Sequence, residues 1–477
     1  MDWPERASCS RLYLFYGSTY RKCMDISHSL WQGDSPDDRR CEGDGVDFLP
    51  DNEEIETGYF RELTERYGSP LFVYDGSTLV RSLRELREVL PPEMEIFYSL
   101  KANPNVALVA LLAAHGARAE VSSLVELRTA QQAGIRGQDI IFLGPGKTRQ
   151  ELVACLSAEV AAVVVESFGE LDELNVLAAA AGRRQRVLVR VNPITAVAGS
   201  RLTMGGRPRQ FGIDEAELLT RADLPGRYPA LDLAGVHAYL GTRILDHEVV
   251  VANTILILDL AERVAAATGI RLDTVDVGGG LGVAYFERES DPDLAGLRDG
   301  MRQAVEPFRL RHPDTRLLFE SGRFLTARSG VYVTRVRYVK ESFGSRFAVT
   351  DGGTHHHMAA VGIGSFGKRN FPVRHLDRPE EPPDGLWQLT GPLCTPDDVI
   401  AKDVALPAPR PGDLIGILRS GAYGPTASPG LFLGHGFPAE VLVRKGKPYL
   451  IRDRDVPADL LRKQRHHKFA DVTDPAV

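Results

Sequence analysis

Cysteine is scarce in this sequence and is not arranged in pairs. The 477 residues contain five cysteines, at positions 9, 23, 41, 155 and 394. An odd number without metal-type spacing argues against a disulfide framework or a zinc site, and it is typical of a reducing compartment. We therefore expect a cytoplasmic protein without a metal site.

Long apolar runs and an excess of basic residues are also missing. No run of about 18 apolar residues occurs, so a membrane-spanning helix is not expected. The N-terminus lacks a basic start followed by an apolar core, so no secretory signal is expected. The formal net charge of -7 provides no basic surface for nucleic acid or for an anionic membrane.

One pattern repeats from residue 95 to residue 322. A short apolar strand is followed by a polar or glycine-containing turn and then by an amphipathic helix. The strands, apolar on both faces as buried parallel strands are, lie at 95–100, 118–123, 139–144, 161–167, 186–192, 233–241, 274–280 and 316–322. Eight strands alternating with helices predict a (β/α)₈ barrel, and a doubly wound open sheet is the alternative.

The chain is predicted to contain three parts. Residues 1–50, rich in charge and poor in periodicity, are expected to form a weakly ordered extension. Residues 76–325 form the predicted barrel, and residues 51–75 and 326–477 a mainly β domain. In that domain, alternating segments lie at 331–339, 412–418 and 439–451, and the last is expected to turn back at Lys445-Gly446-Lys447.

Reactive side chains stand where the predicted barrel strands end. Active sites of such barrels lie at the carboxyl ends of the strands. The strand ends provide Lys101, Glu120, Arg190, His237, the turn Gly278-Gly279-Gly280 and Glu320. A lysine amine in a walled site can form a Schiff base, and a glycine turn can bring backbone N–H groups close to an anion. Their convergence on one rim indicates an enzyme active site.

Two other motifs are expected to be structural. LGPGKT at 143–148 lacks the first glycine of a phosphate-binding loop, so we expect a turn with Lys147 in solvent. Neighbouring residues of an extended segment point to opposite faces, so the three histidines at 355–357 are a poor metal site. We expect them in a loop or at a domain junction.

Six motifs, taken together, resemble a known family. FYSLKANPN, GVHAYLGT, DVGGGLG, FESGR, GPLCTPDD and SGAYG occur in the order in which they occur in the fold-type III pyridoxal-phosphate decarboxylases. That family includes the diaminopimelate, ornithine and arginine decarboxylases, and the resemblance extends from about residue 55 to about residue 455. It implies an alanine-racemase-like architecture of a barrel followed by a β domain.

The resemblance also implies roles for particular residues. Lys101 would hold pyridoxal 5'-phosphate as a Schiff base, His237 would lie against the ring, and Glu320 would face the ring nitrogen. Glu120 and Arg190 would complete the cofactor site. The phosphate would be held by Gly278, Gly279, Gly280, Thr242, Arg323 and Tyr423. Cys394 would come from the second subunit of a homodimer and donate the proton after CO₂ leaves.

Several positions depart from the commonest pattern of the family. Glu120 replaces an aspartate, Ser321 a proline and Tyr239 a histidine. Thr395, directly after Cys394, stands where an acidic residue recognises the distal amine of the substrate in the relatives. A free diamino acid is therefore not the expected substrate, although Asp397 or Asp398 offers another acidic contact. The stretches HAYLGTRILD, DGGTHHHMAA and GPLCTPDD most resemble a secondary-metabolism branch of the family. That resemblance implies an amino acid that is conjugated or bound to a carrier protein, in secondary-metabolite or siderophore biosynthesis.

Other functions stay open at this point. Diaminopimelate decarboxylation in lysine biosynthesis is the first alternative, and an amino-acid racemase with the same type of barrel is another. A regulator that has lost the cofactor is the alternative without catalysis. The retained Lys101, Glu320, glycine turn and Cys394 favour an α-decarboxylase.

Overall fold

The fold is given by a computed structural model, which describes residues 58–194, 202–203, 208–361 and 370–467. The extension expected at residues 1–50 lies outside these ranges. Among the described residues, no helix combines the length and the apolar character needed to cross a membrane.

The strands are numbered along the chain. They are β1 (Leu71–Asp75), β2 (Met94–Ser99), β3 (Arg118–Val121), β4 (Ile140–Phe142), β5 (Ala162–Val165), β6 (Gln185–Asn192), β7 (Leu202–Thr203), β8 (Ile213–Asp214), β9 (Leu231–His237), β10 (Gly241–Thr242), β11 (Thr274–Gly279), β12 (Arg316–Ser321), β13 (Gly330–Ser342), β14 (Ser345–Thr350), β15 (Val373–His375), β16 (Gly385–Thr390), β17 (Val399–Leu406), β18 (Leu414–Ile417), β19 (Ala439–Arg444) and β20 (Lys447–Arg452).

The α-helices are numbered in the same way. They are α1 (Tyr59–Tyr67), α2 (Gly76–Val89), α3 (Val106–Ala114), α4 (Leu124–Gln132), α5 (Arg149–Ala158), α6 (Phe168–Ala180), α7 (Glu215–Leu218), α8 (His247–Thr268), α9 (Leu294–Arg311), α10 (Arg323–Thr326) and α11 (Pro457–Leu461). Several begin at a side chain that accepts a backbone N–H of the first turn, as preferred N-cap residues do. These caps are Asp75, Asn105, Ser123, Thr148, Ser167, Asp246 and Asp293.

Eight parallel strands close into a barrel. The strands β2, β3, β4, β5, β6, β9, β11 and β12 pair side by side in this order, and β12 pairs in turn with β2. Because the last strand returns to the first, the open-sheet alternative is wrong and the predicted (β/α)₈ barrel is confirmed. Each barrel strand corresponds to one of the eight apolar segments of the sequence.

Polar residues at the barrel rim lie two positions after apolar residues of the barrel interior. Phe97, Ile141, Val164, Leu188 and Leu318 belong to a buried cluster inside the barrel. Residues two positions later share their direction, because side chains alternate along a strand. The resulting pairs of interior and rim residues are Val164 and Glu166, Leu188 and Arg190, and Leu318 and Glu320.

The β domain is built on one mixed sheet. Strand β1 pairs antiparallel with β13 and parallel with β19, so the segment before the barrel belongs to this sheet. Strands β19 and β20 form the hairpin expected at Lys445-Gly446-Lys447. Phe60 and Leu63 of α1 pack on the face of the sheet that carries Leu71 and Val73. The sheet also contains β14 to β17, which the sequence pattern did not indicate.

Lys147 corrects one expectation. Its side chain is 1% exposed, and its amine lies 2.6 Å from the carboxylate of Glu170. The amine also donates a hydrogen bond of 2.7 Å to the carbonyl oxygen of Gly144. The segment 143–148 does form a turn, but the lysine folds back beneath it rather than into solvent. An opposite charge and carbonyl oxygens make its burial tolerable.

Candidate active site

Lys101 directly follows β2, in a short 3₁₀ helix at Leu100–Ala102. Its amine lies 2.9 Å from the carboxylate of Glu120 at the end of β3. The Glu120 side chain is 1% exposed, whereas that of Lys101 is 39% exposed and therefore accessible from the rim. Burial alone would lower the pKa of Lys101, but the charges of Glu120 and Glu320 together raise this pKa well above its ordinary value.

The turn after Lys101 is held by hydrogen bonds to the β domain. The hydroxyl of Tyr98 donates to the carbonyl oxygen of Asn103 over 2.7 Å. The side-chain amide of Asn103 donates to the carbonyl oxygen of Gly421, and the N–H of Tyr423 donates to that of Ala102. The SGAYG segment of the β domain is thereby attached to the KANPN turn. This attachment brings Tyr423 to the turn that follows the lysine.

Glu320 and His237 form a buried pair on β12 and β9. The Nε2 of His237 lies 3.0 Å from Oε1 of Glu320, and neither side chain is more than 1% exposed. Burial alone would raise the pKa of Glu320, but the hydrogen bond from His237 and the charges of Lys101 and Arg190 lower it. Within the described residues, Oε2 of Glu320 and Nδ1 of His237 have no hydrogen-bond partner. The carboxylate therefore keeps one oxygen for a further donor.

Arg190 pairs with a carboxylate that the sequence analysis did not select. Its guanidinium donates to Oε1 of Glu166 over 2.9 Å, and it lies 4.6 Å from the ring centre of Phe211. Glu166 also accepts the backbone N–H groups of Gly144 and Gly212. These contacts fix Arg190 at the rim. The signal for Glu166 was its position two residues after the interior Val164.

The glycine turn has no room for side chains. Gly278 and Gly280 have φ angles of +63° and +92°, which residues with a Cβ rarely adopt. A Cβ at Gly279 would overlap the carbonyl oxygen of Glu320, and one at Gly280 would overlap that of Gly241. The turn at the end of β11 thus presents bare backbone, as an anion site formed by N–H groups requires.

Arg323 begins the helix after β12, the strand that pairs with β11. A guanidinium N–H of Arg323 donates to the hydroxyl of Tyr285 over 3.1 Å, and the guanidinium carbon lies 4.5 Å from the ring centre of Tyr423. Its Nε is buried without a partner among the described residues. Burial raises the pKa of Tyr239 to about 12, and the Thr242 side chain forms a hydrogen bond with this tyrosine.

Four of the predicted residues of the β domain lie in the loop between β16 and β17. Cys394 is exposed at this loop, with Thr395 partly buried and Asp397 exposed. Asp398 is buried, and its Oδ1 accepts the N–H and the hydroxyl of Thr354, while Oδ2 accepts the N–H of Leu393. Both oxygens of Asp398 therefore hold the loop in place.

The three histidines form part of a buried turn in the β domain. Nε2 of His356 forms a hydrogen bond with the carbonyl oxygen of Gly436, and its Nδ1 forms one with the hydroxyl of Tyr332. Nε2 of His357 lies 2.7 Å from Oγ of Ser420. Burial lowers the pKa of His357 to about 3, so this histidine is neutral. The turn supports the SGAYG segment that holds Tyr423.

These groups fit pyridoxal phosphate. The rim offers an accessible lysine amine, a buried carboxylate with one unpaired oxygen, a glycine cradle and a guanidinium with an unpaired Nε. The amine matches the aldehyde of the cofactor and the carboxylate matches its ring nitrogen. The glycine cradle and the guanidinium match its phosphate, the third group that a protein must hold. The residues of this set, Lys101, Glu320, Gly278, Gly279, Gly280 and Arg323, were all selected from the sequence.

Comparison with known proteins agrees with pyridoxal phosphate as the cofactor. Residues 77–327 match the family described as "Pyridoxal-dependent decarboxylase, pyridoxal binding domain". The chain is 37% identical over 408 residues to the L-glutamyl-[BtrI acyl-carrier protein] decarboxylase of Niallia circulans, covering 84% of this chain and 95% of that protein. It is 32% identical over 416 residues to the diaminopimelate decarboxylase of Methanothermobacter thermautotrophicus, covering 84% and 93%.

A solved structure shows the same architecture. The diaminopimelate decarboxylase from Helicobacter pylori, complexed with L-lysine, superposes with a TM-score of 0.76 at 28% identity, covering 84% of this chain and 98% of that one. The chain therefore belongs to the pyridoxal-dependent decarboxylases. It is a carboxy-lyase of amino-acid metabolism that uses pyridoxal phosphate.

Two further acidic residues near the site were missed. Asp276 on β11 lies opposite His237 on β9 and is fully buried. Glu126 at the start of α4 accepts the N–H of Ser122, and burial raises its pKa to about 7. Asp276 lies two residues before the glycine turn, and Glu126 is the third residue after an N-cap serine. Neither position by itself distinguishes an acid at the site from one that only caps a turn.

The glycine cradle makes a specific prediction. Gly279→Ala should weaken the binding of pyridoxal phosphate by roughly 10- to 100-fold, because the new Cβ displaces N–H donors that pair with a charged phosphate. Gly146→Ala is the matched control, since a Cβ there meets nothing within 4 Å in the described part of the chain. Titration with the cofactor measures both variants. Equal affinities would show that the turn does not hold the phosphate.

Proposed function

We propose that this enzyme removes the α-carboxylate of an amino acid joined to a carrier protein, in secondary-metabolite or siderophore biosynthesis. The main support for this proposal is the 37% identity to a decarboxylase that acts on an L-glutamyl carrier protein. The match covers 84% of this chain and 95% of that protein. A glutamyl group attached to its carrier is accordingly the proposed substrate. Because the reaction consumes the α-carboxylate, the link to the carrier must be made through the side-chain carboxyl group.

The loop that carries Cys394 supports this substrate. Thr395 is neutral and cannot pair with a distal ammonium group. Both oxygens of Asp398 already accept hydrogen bonds, one from Thr354 and the other from Leu393. A buried ammonium without a carboxylate costs several kcal/mol, whereas a distal thioester carries no charge. Asp397 is the exposed acid of this loop.

The chemistry is divided between residues of the barrel rim and Cys394 of the β domain. Bound pyridoxal phosphate supplies an electron sink for the electron pair that remains when CO₂ leaves. Lys101 would hold the cofactor through its amine. Glu320, kept ionised by His237, Lys101 and Arg190, would hold a proton on the ring nitrogen. Cys394 returns a proton to the α-carbon.

Diaminopimelate decarboxylation is the second candidate. It is favoured by the TM-score of 0.76 with the enzyme from Helicobacter pylori, whose structure contains L-lysine. In that case Asp397 would have to provide the contact that Thr395 does not.

A substrate assay separates the two candidates. We expect kcat/KM for a γ-linked glutamyl carrier-protein thioester to exceed that for free meso-diaminopimelate, ornithine or lysine by at least about 10²-fold. CO₂ release measures each, with Lys101→Ala as the inactive control. Thr395→Glu should shift the preference toward the free diamino acids. Efficient turnover of meso-diaminopimelate by the unaltered enzyme would assign it to lysine biosynthesis instead.

We further propose that the enzyme is a cytoplasmic homodimer whose active sites are shared between subunits. Cys394 is exposed on a β-domain loop, which suits a residue that completes the site of a neighbouring copy. Cys155 and Cys394 are both unpaired, which supports a reducing compartment.

Mixed variants test the shared site. Lys101→Ala and Cys394→Ala should each be nearly inactive, and mixing with subunit exchange should restore activity. A mixed dimer has one site with both changes and one with neither, so about a quarter of full activity is the ceiling for equal amounts. No recovery after demonstrated exchange would place both residues in the site of one chain.

A further inference from the structure

Asp276 is a buried acid at the centre of the site to which the reaction described above gives no role. It faces into the barrel from β11, and its side chain is fully buried. Its Oδ1 accepts the backbone N–H of Gly278 over 2.9 Å, at the start of the glycine turn. Among the described residues, its Oδ2 has no hydrogen-bond partner. Oδ1 therefore fixes the glycine turn, whereas Oδ2 faces other groups of the site.

Those groups include a second buried carboxylate. One ligand-type atom from each of His237, Asp276 and Glu320 lies within 4.8 Å of the others. Two carboxylates this close in a dry site repel each other, so one of them takes up a proton at ordinary pH. The surrounding charges decide which one does.

The charges favour Glu320 as the ionised member. It receives the hydrogen bond from His237 on β9, and Lys101 after β2 and Arg190 on β6 lower its pKa. Asp276 receives one backbone N–H and faces the negative charges of Glu320 on β12 and Glu120 on β3. Burial is the largest cause that raises the pKa of Asp276, and the charge of Glu320 follows; the charge of Lys101 acts in the opposite direction.

We propose that Asp276 is a positioning residue that works as a neutral carboxylic acid, joining the phosphate turn to the carboxylate at the ring nitrogen. Its Oδ1 fixes Gly278, and its Oδ2 carries the proton toward the pair formed by Glu320 and His237. Of these two neighbouring carboxyl groups, only Glu320 then carries a negative charge. The inference depends on cofactor binding and is independent of the carrier-protein substrate.

Two substitutions test the neutral acid through cofactor affinity. Asp276→Asn keeps an acceptor for Gly278 and a donor in place of the acid O–H, so the Kd for pyridoxal phosphate should change by less than about threefold. Asp276→Leu removes both and should weaken binding by roughly 10- to 100-fold, the cost of unpaired buried polar groups. An ionised Asp276 would instead make the asparagine variant bind at least about tenfold differently, and this result would overturn the proposal.

Infrared difference spectra of the full-length holoenzyme supply a readout that does not depend on turnover. A protonated carboxyl group has a C=O stretch well separated from that of a carboxylate. The difference between wild type and Asp276→Asn at neutral pH should contain one acid band. The exposed Asp299, with 65% of its side chain accessible, gives the control Asp299→Asn, which should show none. Loss of a carboxylate band in place of the acid band would contradict the proposal.

A third variant keeps the test decisive if Asp276→Asn does not fold. Glu320→Gln removes the neighbouring negative charge, so the acid band of Asp276 should disappear at a lower pH than in the wild type. The shift is toward lower pH because the Glu320 charge raises the pKa of Asp276 in the wild type by repulsion. A band whose titration is unchanged by Glu320→Gln would show that the two carboxyl groups are not coupled.

Discussion

A carboxylate inside a protein requires an opposite charge, several hydrogen bonds or a proton, and this requirement organises the whole site. Glu320 meets it through His237 and the nearby cations, Glu120 through Lys101, and Glu166 through Arg190 and two backbone N–H groups. The barrel supplies the geometry, because residues two positions beyond its apolar interior converge at one rim. The charges of the rim thereby set one another's protonation states.

Features that depend on local sequence were predictable, and those that depend on distant partners were not. Strand alternation and the glycine turn are local, so the barrel and Lys101 followed from the sequence. Lys147 was wrongly placed in solvent because its partner Glu170 lies on another element. Strand β15 has three residues and was missed because its partner β18 is remote in sequence. Strands β14, β16 and β17 were missed although β14 pairs with the preceding strand β13 and β16 with the following strand β17.

The β domain also holds parts of the active site in position. Through Asn103 and Tyr423 it holds the turn that follows the lysine, and the histidine turn supports the same segment from behind. Its loop between β16 and β17 carries the cysteine proposed as the proton donor. Substrate choice is proposed to lie in this loop, where one carboxylate is structural and a neutral threonine follows Cys394.

The central claim is that Glu320 is the ionised group that makes the bound cofactor an electron sink. The most direct measurement is the rate of CO₂ release by Glu320→Gln, with cofactor content determined on the same sample. We expect kcat to fall by about 10²-fold or more, the scale of losing one preorganised charge. The cofactor should stay bound, because the glycine turn and Arg323 are unchanged. An unaltered kcat would contradict the account.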